Sequence, residues 1–494
     1  MKLVHRKYLS SELYVKLDNV SYVRVIMFAI ILLLSRILNI IAETANSTYR
    51  TYTETNAGYA YNSSGSSYPH DKAVYASSLT FNCEYGRALD ALRVDPILGV
   101  KSYSGFITVS KRYNSNLFFW FILSERNTTN DPIVVWLMGY PGFSSMYGVF
   151  QENGPFRFIE SNLTLSEYSW TKEYNMLYID NPVGIGYSYT ENKAGFSTTQ
   201  DDVATNLYEF MRQFYEIFSD YQKNELYIGA ESYAGKYAVS LAHIIHKKNP
   251  TSHLKMHLIG LFVGNGFVDP FNMLQYSSFL YQLGFIEYST YLWMRKLENH
   301  IKRAIIMKDW ATARRLCQQI HDKLEEVGFE HPYDFTMQKF TLLSDEVSEY
   351  LNRATTRKLL HVGEVPFRNH DMVYVYLQDD ILQSVKPKVE ELLSHYRMLF
   401  YCGQYDIFVD SAKTDKFVRK LKWNDNTLFV KQRPFNWYID NNIVGYVTSV
   451  SNLTEVIVRN ANHMTAATKP QLIFLLLQLF TRSNSSFTER TLNM

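Results

Sequence analysis

Cysteine is scarce in this chain: 494 residues contain three, Cys83, Cys317 and Cys402. Three thiols allow one intramolecular disulfide at most, so stability has to come from a packed core rather than from covalent staples. Neither sign of charge is in excess. Fifty basic residues face 48 acidic ones, net +2, which removes the electrostatic footprint of a nucleic-acid partner. Metal-ligand clusters, a phosphate-cradling glycine loop and a haem motif are all missing, so no metal and no cofactor is expected. A long uninterrupted apolar run is lacking too. Val25–Leu34 is apolar, Arg36 interrupts, and Ile37–Ala42 resumes. Uninterrupted, that run is too short to cross a bilayer comfortably, but it has the length of a signal h-region.

Lys2, Arg6, Lys7, Lys16 and Arg24 precede that run. Residues 1–42 therefore read as a cleaved signal ending at Ala42, or as a signal anchor that tolerates Arg36. Either way the positive flank stays cytoplasmic and the remainder enters the secretory pathway. The expected destination is outside the cell or a lysosome- or vacuole-like lumen, with membrane attachment only through the N-terminal segment. Six Asn-x-Ser/Thr sequons agree with that route: Asn46, Asn62, Asn127, Asn162, Asn452 and Asn484.

Aromatic residues are plentiful, at 15% with 38 Tyr, which suits a large packed enzyme rather than a disordered chain. Residues 43–80 lack apolar periodicity, and 43–95 read as a polar stalk and lead-in. Strand patterns follow at Tyr103–Val109, Leu117–Leu123, Pro132–Met138, Met176–Asp180, Leu226–Gly229 and Leu258–Val263. A long amphipathic helix is expected over Asp201–Phe218. Buried strands alternating with helices predict an α/β fold on a mostly parallel sheet. The pattern changes between residues 268 and 390, where Tyr291–Val327 reads as a helical pair and strands are hard to find. Strands return at Met398–Cys402 and Glu455–Val458, before a closing helix at Gln471–Phe480. The expected layout is a core over 96–267, a helical cap insertion over 268–390, more core over 391–482, and a tail over 483–494.

The chemistry centres on Glu225–Ile245. A short strand leads into Ala230-Glu-Ser-Tyr-Ala-Gly235 and then a helix. Ser232 at the apex of a strand–turn–helix, between small residues, forms a nucleophile elbow, where the helix N-terminus favours developing negative charge. Alone, the pattern serves equally for an ordinary serine at a helix start. A nucleophilic serine also needs a base, and the base needs an acceptor that fixes its tautomer. Strand Met398–Cys402 delivers Asp406, and strand Glu455–Val458 delivers His463. His361 is a rival base but precedes Asp406 and falls in the expected cap. Acid and base in the order Ser, Asp, His, each after its own strand, favour the triad Ser232, Asp406 and His463.

At this point the sequence resembles a known family. Tyr103-Ser-Gly-Phe, Trp136-Leu-x-Gly-x-Pro-Gly-x-Ser-Ser145, Glu152-Asn-Gly-Pro-Phe156 and Asn181-Pro-Val-Gly-x-Gly-Tyr-Ser188 come first. Glu231-Ser-Tyr-Ala-Gly235, Gly264-Asn-Gly266, Gly403-Gln-x-Asp406 and His463-Met464 follow in order. Over residues 100–480 the chain resembles the serine carboxypeptidases of the α/β-hydrolase fold, most of all the vitellogenic-like animal branch. The resemblance implies removal of C-terminal residues from peptides or proteins through an acyl-enzyme, at acidic pH. It makes Ser232 the nucleophile, His463 the base and Asp406 its orienting acid. The backbone N–H groups of Tyr140 and Tyr233 would form the oxyanion hole. It assigns Glu152 and Glu231 to the substrate's terminal carboxylate, which they can hydrogen-bond only while one of the acids keeps a proton.

Departures from the family pattern concentrate in one loop. Met138 stands where the family has a carboxylate-binding Asn and cannot donate a hydrogen bond. Tyr140 stands where the family has Gly, and if the position needs φ > 0 the loop is expected to rearrange. Phe143 replaces a Cys that commonly forms a disulfide, and Ala230 replaces the first glycine of the elbow. Losing one oxyanion donor typically costs about 10²–10³ in rate. Two alternatives to the exopeptidase therefore stand: an acyl-transferring or ester-cleaving enzyme on the same triad, and a catalytically weakened binding protein of the same fold.

The targeting reading has a direct check. Protein expressed through the secretory pathway should run faster on a gel after N-glycan removal, with Asn46, Asn62 and Asn484 used most readily because terminal segments are exposed. Unchanged mobility together with recovery from the cytosol would exclude it.

Overall fold

Ile133–Leu137 is apolar at every position and forms strand β4, with all five residues buried. Consecutive side chains leave opposite faces of the strand. Ile133, Val135 and Leu137 accordingly join one apolar cluster, while Val134, Trp136 and Met138 join another on the opposite face. This two-sided burial is what the continuous apolar run encodes. The computed structural model describes residues 72–482 and 487, apart from 127, 330–331, 338–344 and 370. The signal reading and the sequons at Asn46, Asn62, Asn127 and Asn484 lie outside the described residues.

Ahead of β4 come β1 (Arg93–Ile97), β2 (Val100–Ser110) and β3 (Ser115–Ile122). After it come β5 (Phe156–Ile159), β6 (Asn162–Leu165), β7 (Asn175–Ile179), β8 (Leu226–Glu231) and β9 (Leu258–Gly264). The last group is β10 (Arg397–Gly403), β11 (Phe435–Ile439), β12 (Asn442–Val450) and β13 (Leu453–Val458). Eleven strands make one sheet in the order β1-β2-β3-β7-β4-β8-β9-β10-β13-β12-β11, and β5 pairs with β6 apart from it. The six strands from β7 to β13 run parallel. The strands flanking them on both sides pair antiparallel. This is the expected α/β architecture. It places the ends of β4, β8, β9, β10 and β13 side by side.

Helices cover both faces. Gln200–Ile217 starts at a capping box: Thr199 Oγ1 accepts from the Asp202 N–H, and the Asp202 carboxylate accepts from the Thr199 N–H. Such a cap satisfies donors that the first helical turn leaves open. Its buried stripe, including Val203, Leu207, Phe210 and Phe214, packs on the sheet. There Phe119 and Phe121 meet Phe210, Phe214 and Phe218 edge to face. Such contacts add about 0.5–1.5 kcal/mol each beyond burial, which gives the high aromatic content its structural use.

The structure departs from the sequence expectation in two places and resolves in a third what the sequence left open. The polar stretch expected to run to residue 80 ends earlier. Val74 donates to His361 O and accepts from Phe106 N, and helices Ala76–Phe81 and Tyr85–Leu92 bury Ala76, Ala88 and Leu92. Strands β11 and β12 were not expected. They form a hairpin whose two linking residues, Asp440 and Asn441, both have positive φ, the geometry that suits a two-residue hairpin turn. Finally, the three cysteines are all free. Between β9 and β10 the described residues form eight helices and no strand. The pair Tyr288–Ile306 and Trp310–Glu326 lies where a helical pair was expected.

Candidate active site

Ser232 follows the last residue of β8 and has φ = +60°. A non-glycine residue in that region is strained, at a cost of order 1–3 kcal/mol, and persists only where surrounding contacts dictate it. Those contacts are explicit. The Ser232 N–H donates to Gly264 O at 2.9 Å, and Ser232 O accepts from Phe267 N at 3.0 Å. The elbow is thus tied to the end of β9, and helix Ala234–Lys248 departs directly from it. On the other side lies Gly139, at the end of β4. A Cβ there would sit 2.7 Å from the Tyr233 nitrogen and 2.8 Å from Glu231 O, so only glycine lets the two strand ends close up around the Tyr233 amide.

Asp406 and His463 are brought together. His463 Nδ1 lies 2.6 Å from Asp406 Oδ2, and both side chains are buried. An N–H at Nδ1 donating to that carboxylate leaves Nε2 as the acceptor, the tautomer a general base requires. Asp406 is itself held firmly. Asn265 Nδ2 donates to Oδ2 at 2.7 Å, while the N–H groups of Phe408 and Val409 donate to Oδ1 at 2.7 and 3.1 Å. The imidazole is also fixed from above. Its backbone N–H donates to Tyr333 O, and the Tyr333 ring packs 4.6 Å from it at 45°.

Glu231 and Glu152 form a buried pair of acids. Glu152 closes a single wide π-helical turn, Gly148–Glu152, and Glu231 ends β8. Both Glu152 oxygens and Glu231 Oε2 are sealed from water with no hydrogen-bond partner among the described residues. Burial pushes the Glu152 carboxyl up to about 7, partly offset by the Glu231 carboxyl beside it and by the Arg157 charge. Burial, followed by the charge of Glu152 beside it, raises Glu231 well above the carboxylate range. Two acids this close, out of water, hold a proton between them near neutral pH.

In the divergent loop Tyr140 has φ = +95° and is 45% exposed, so the tyrosine takes up a glycine-like backbone with its strain. Met138 is buried, and its N–H lies 3.3 Å from Ser145 Oγ. Since Leu137 pairs with Ala230, Met138 and Glu231 come next along neighbouring strands, and at that position Met138 offers only an apolar side chain. Further along the loop, Ser144 donates to the buried Asp180, whose carboxyl burial raises to about 7. Asp180 also accepts from Tyr187 N at 2.9 Å, which pins this loop to Asn181–Ser188.

The serine carboxypeptidase family profile matches residues 93–483. The chain is similar to a venom serine carboxypeptidase of Apis mellifera, 38% identical over 397 residues, covering 78% of this chain and 85% of that one. It is similar also to a vitellogenic carboxypeptidase of Aedes aegypti, 39% identical over 402 residues, with 78% and 84% covered. The chain belongs to the serine carboxypeptidase family. The activity that membership gives it is serine-type carboxypeptidase hydrolysis, and the ester-cleaving and binding-protein alternatives are not favoured. Its fold is similar to a crystal structure of the prohormone-processing carboxypeptidase Kex1 from Saccharomyces cerevisiae. That similarity has a TM-score of 0.71 at 23% identity, covering 80% of this chain and 96% of that one.

Several residues around the centre of this carboxypeptidase had no role in the sequence reading. Asn265 was visible only as the middle of Gly264-Asn-Gly266, and Tyr333 had no signal at all. A third group joins the elbow helix to the chain just before β10. The buried Lys236 Nζ reaches Asp380 Oδ2 at 3.1 Å and Asp380 O at 2.6 Å, and the Tyr233 hydroxyl and Gln200 Nε2 reach the same carboxylate. His361, the rival base, instead places Nδ1 3.1 Å from Ser104 O. Among metal-ligating side chains, no cluster able to hold an ion occurs within the described residues. Of the two described sequons, Asn162 is exposed, whereas Asn452 donates its amide to Leu393 O at 2.9 Å.

The buried acids predict a pH signature in stability. Their folded pKa values are raised above the ordinary 4.5. The stability they contribute is therefore full below about pH 4.5 and is lost as the pH rises, Glu152 losing its share through about 7 and Glu231 as the pH passes its own raised value. Denaturation midpoints should fall over that interval more steeply in the wild type than in Glu231→Gln, which has one titrating acid fewer. Parallel curves would exclude a proton held between the two acids.

Proposed function

We propose that Ser232 attacks the carbonyl of the last peptide bond of a peptide or protein, forming an acyl-enzyme that water then hydrolyses. His463 accepts the serine proton and returns it to the departing amino acid, and Asp406 holds the imidazole. The amides of Tyr140 and Tyr233 receive the oxyanion. Glu152 and Glu231, sharing a proton, take the substrate's terminal carboxylate. The observation that carries this reading is the 2.6 Å contact between His463 and a buried, fully bonded Asp406 at strand ends next to a serine elbow. We assign residues 268–390 to a cap inserted between two parts of the core. The N-terminal apolar run and the sequons support a secretory route to the outside or to an acidic lumen. No helix among the described residues is long and apolar enough to cross a membrane.

Fluorophosphonates phosphonylate serines whose proton a neighbouring base accepts, with loss of fluoride. Labelling should occur at Ser232, vanish in Ser232→Ala and drop strongly in His463→Ala. Asp406→Asn should slow it less, because the imidazole remains but is poorly oriented. Undiminished labelling of His463→Ala would remove His463 as the base.

Met138 sets a second expectation. A hydrogen bond to a charged group is worth about 1.5–3 kcal/mol, and a thioether cannot donate one. Recognition of a free carboxylate then rests on the protonated acid pair, so activity on peptide acids should favour low pH. The ratio of rates on a peptide acid and its C-terminal amide should be low, and should rise ~10-fold or more in Met138→Asn. Identical ratios for the two proteins at two acidic pH values would place carboxylate recognition elsewhere.

A further inference from the structure

The divergent loop does more than lose a donor. The Tyr140 ring stacks on Phe143 with centroids 4.7 Å apart at 15°, and on Tyr374 at 5.9 Å and 26°. Phe143 anchors one end of this row, being partly buried against the apolar cluster under the sheet. Tyr374 belongs to helix Asp371–Leu377, between β9 and β10, so the row links the loop after β4 to that helical region. Tyr140 and Tyr374 remain 45% and 41% exposed. Tyr140 thus meets solvent one residue from Gly139, which packs against the Tyr233 amide, and Tyr374 meets solvent beside it. Their near-parallel planes extend a stacked row of rings from the loop next to the nucleophile elbow. The resemblance described above has Gly at 140 and Cys at 143, so the row belongs to this chain's own departures.

We propose that Phe143, Tyr140 and Tyr374 form a platform on which an aromatic substrate side chain flanking the scissile bond stacks. The enzyme then favours aromatic residues there over aliphatic residues of similar size. A branched aliphatic group can be desolvated on such a surface, but only a planar ring gains the offset or edge-on π contact, whose centroids lie about 4.5–7 Å apart. The spacings within the row fall in that range, so a further ring continues it. This inference deepens the carboxypeptidase reading and rests on it.

The test is a set of N-blocked dipeptides carrying Phe or Leu at the penultimate or the terminal position. They are assayed with wild type, Tyr374→Ala, Tyr374→Phe and Tyr140→Gly. A parallel arm compares labelling rates of Ser232 by an aryl-bearing and an alkyl-bearing phosphonate, which needs no peptide cleavage. The wild type is expected to favour Phe over Leu in kcat/KM at one of the two positions. Tyr374→Ala should lower that ratio by up to about 10-fold, Tyr374→Phe should retain it, and Tyr140→Gly should lower it further. Tyr374 is exposed and lies outside the catalytic machinery, so its truncation separates stacking from disturbance of the oxyanion loop. An unchanged Phe:Leu ratio in Tyr374→Ala and Tyr140→Gly overturns the platform. So does a uniform loss in Tyr140→Gly across all substrates. If no dipeptide is cleaved but aryl-selective labelling disappears in Tyr374→Ala, the platform stands and the peptidase reading fails.

Discussion

A carboxyl group taken wholly out of water needs hydrogen-bond donors, and Asp406 collects four of them. They come from Asn265 after β9, Phe408 and Val409 after β10, and His463 after β13. Each lies at the end of a neighbouring parallel strand, so the register of the sheet and the geometry of the site are one constraint. A slip of one residue in β9 would remove the Asn265 amide and leave an acceptor unmatched, a loss on the order of 1–3 kcal/mol. The same strand end accepts the Ser232 N–H through Gly264. Nucleophile and acid are therefore positioned by successive residues, Gly264 and Asn265. Asn265 itself has positive φ, a conformation asparagine tolerates better than most residues.

Around this rigid centre the chain departs from the family pattern while Ser232, Asp406 and His463 stay as the family has them. The substituted positions, Met138, Tyr140 and Phe143, sit on one loop. Asp180 and Ser144 pin the end of that loop, and Gly139 packs its start against the elbow. Between two fixed ends, the loop carries its substituted side chains on a backbone that has positive φ at Tyr140. The acid pair at Glu152 and Glu231 persists where the neighbouring amide has gone. On the proposed reading, binding of a terminal carboxylate then leans on a proton rather than on a neutral donor.

Much of this was legible beforehand. Continuous apolar runs such as Ile133–Leu137 and Leu226–Glu231 can be read because a strand buried on both faces must be apolar throughout. The pairing of Asp406 with His463 could be read because both residues come shortly after such runs. What escaped depends on contacts far apart in sequence. Lys236 and Asp380, 144 positions apart, announce nothing until the fold joins them, and Tyr333 stacks on His463 from a stretch with no periodicity of its own. The β11–β12 hairpin was partly readable, since Asp440-Asn441 is a pair suited to a two-residue turn. Its strands are only half-buried, which weakens the apolar signal. The fate of the Tyr140 loop could not be inferred from residue type. Whether a tyrosine is forced out of a glycine conformation depends on its stacking partners, one of which is more than two hundred residues away.

The three free thiols carry a consequence for where this protein can exist. Cys402 is buried in β10, Cys317 is partly buried in the helical region, and Cys83 is exposed. Burial raises the Cys402 thiol well above its ordinary value, which suppresses the reactive thiolate. No cross-link has to form before the chain is native, and none can be lost afterwards. The fold is thereby uncoupled from the redox poise of its surroundings. It can be assembled in a reducing compartment as readily as in an oxidising one, and it passes through a thiol-rich lumen without a bond to break.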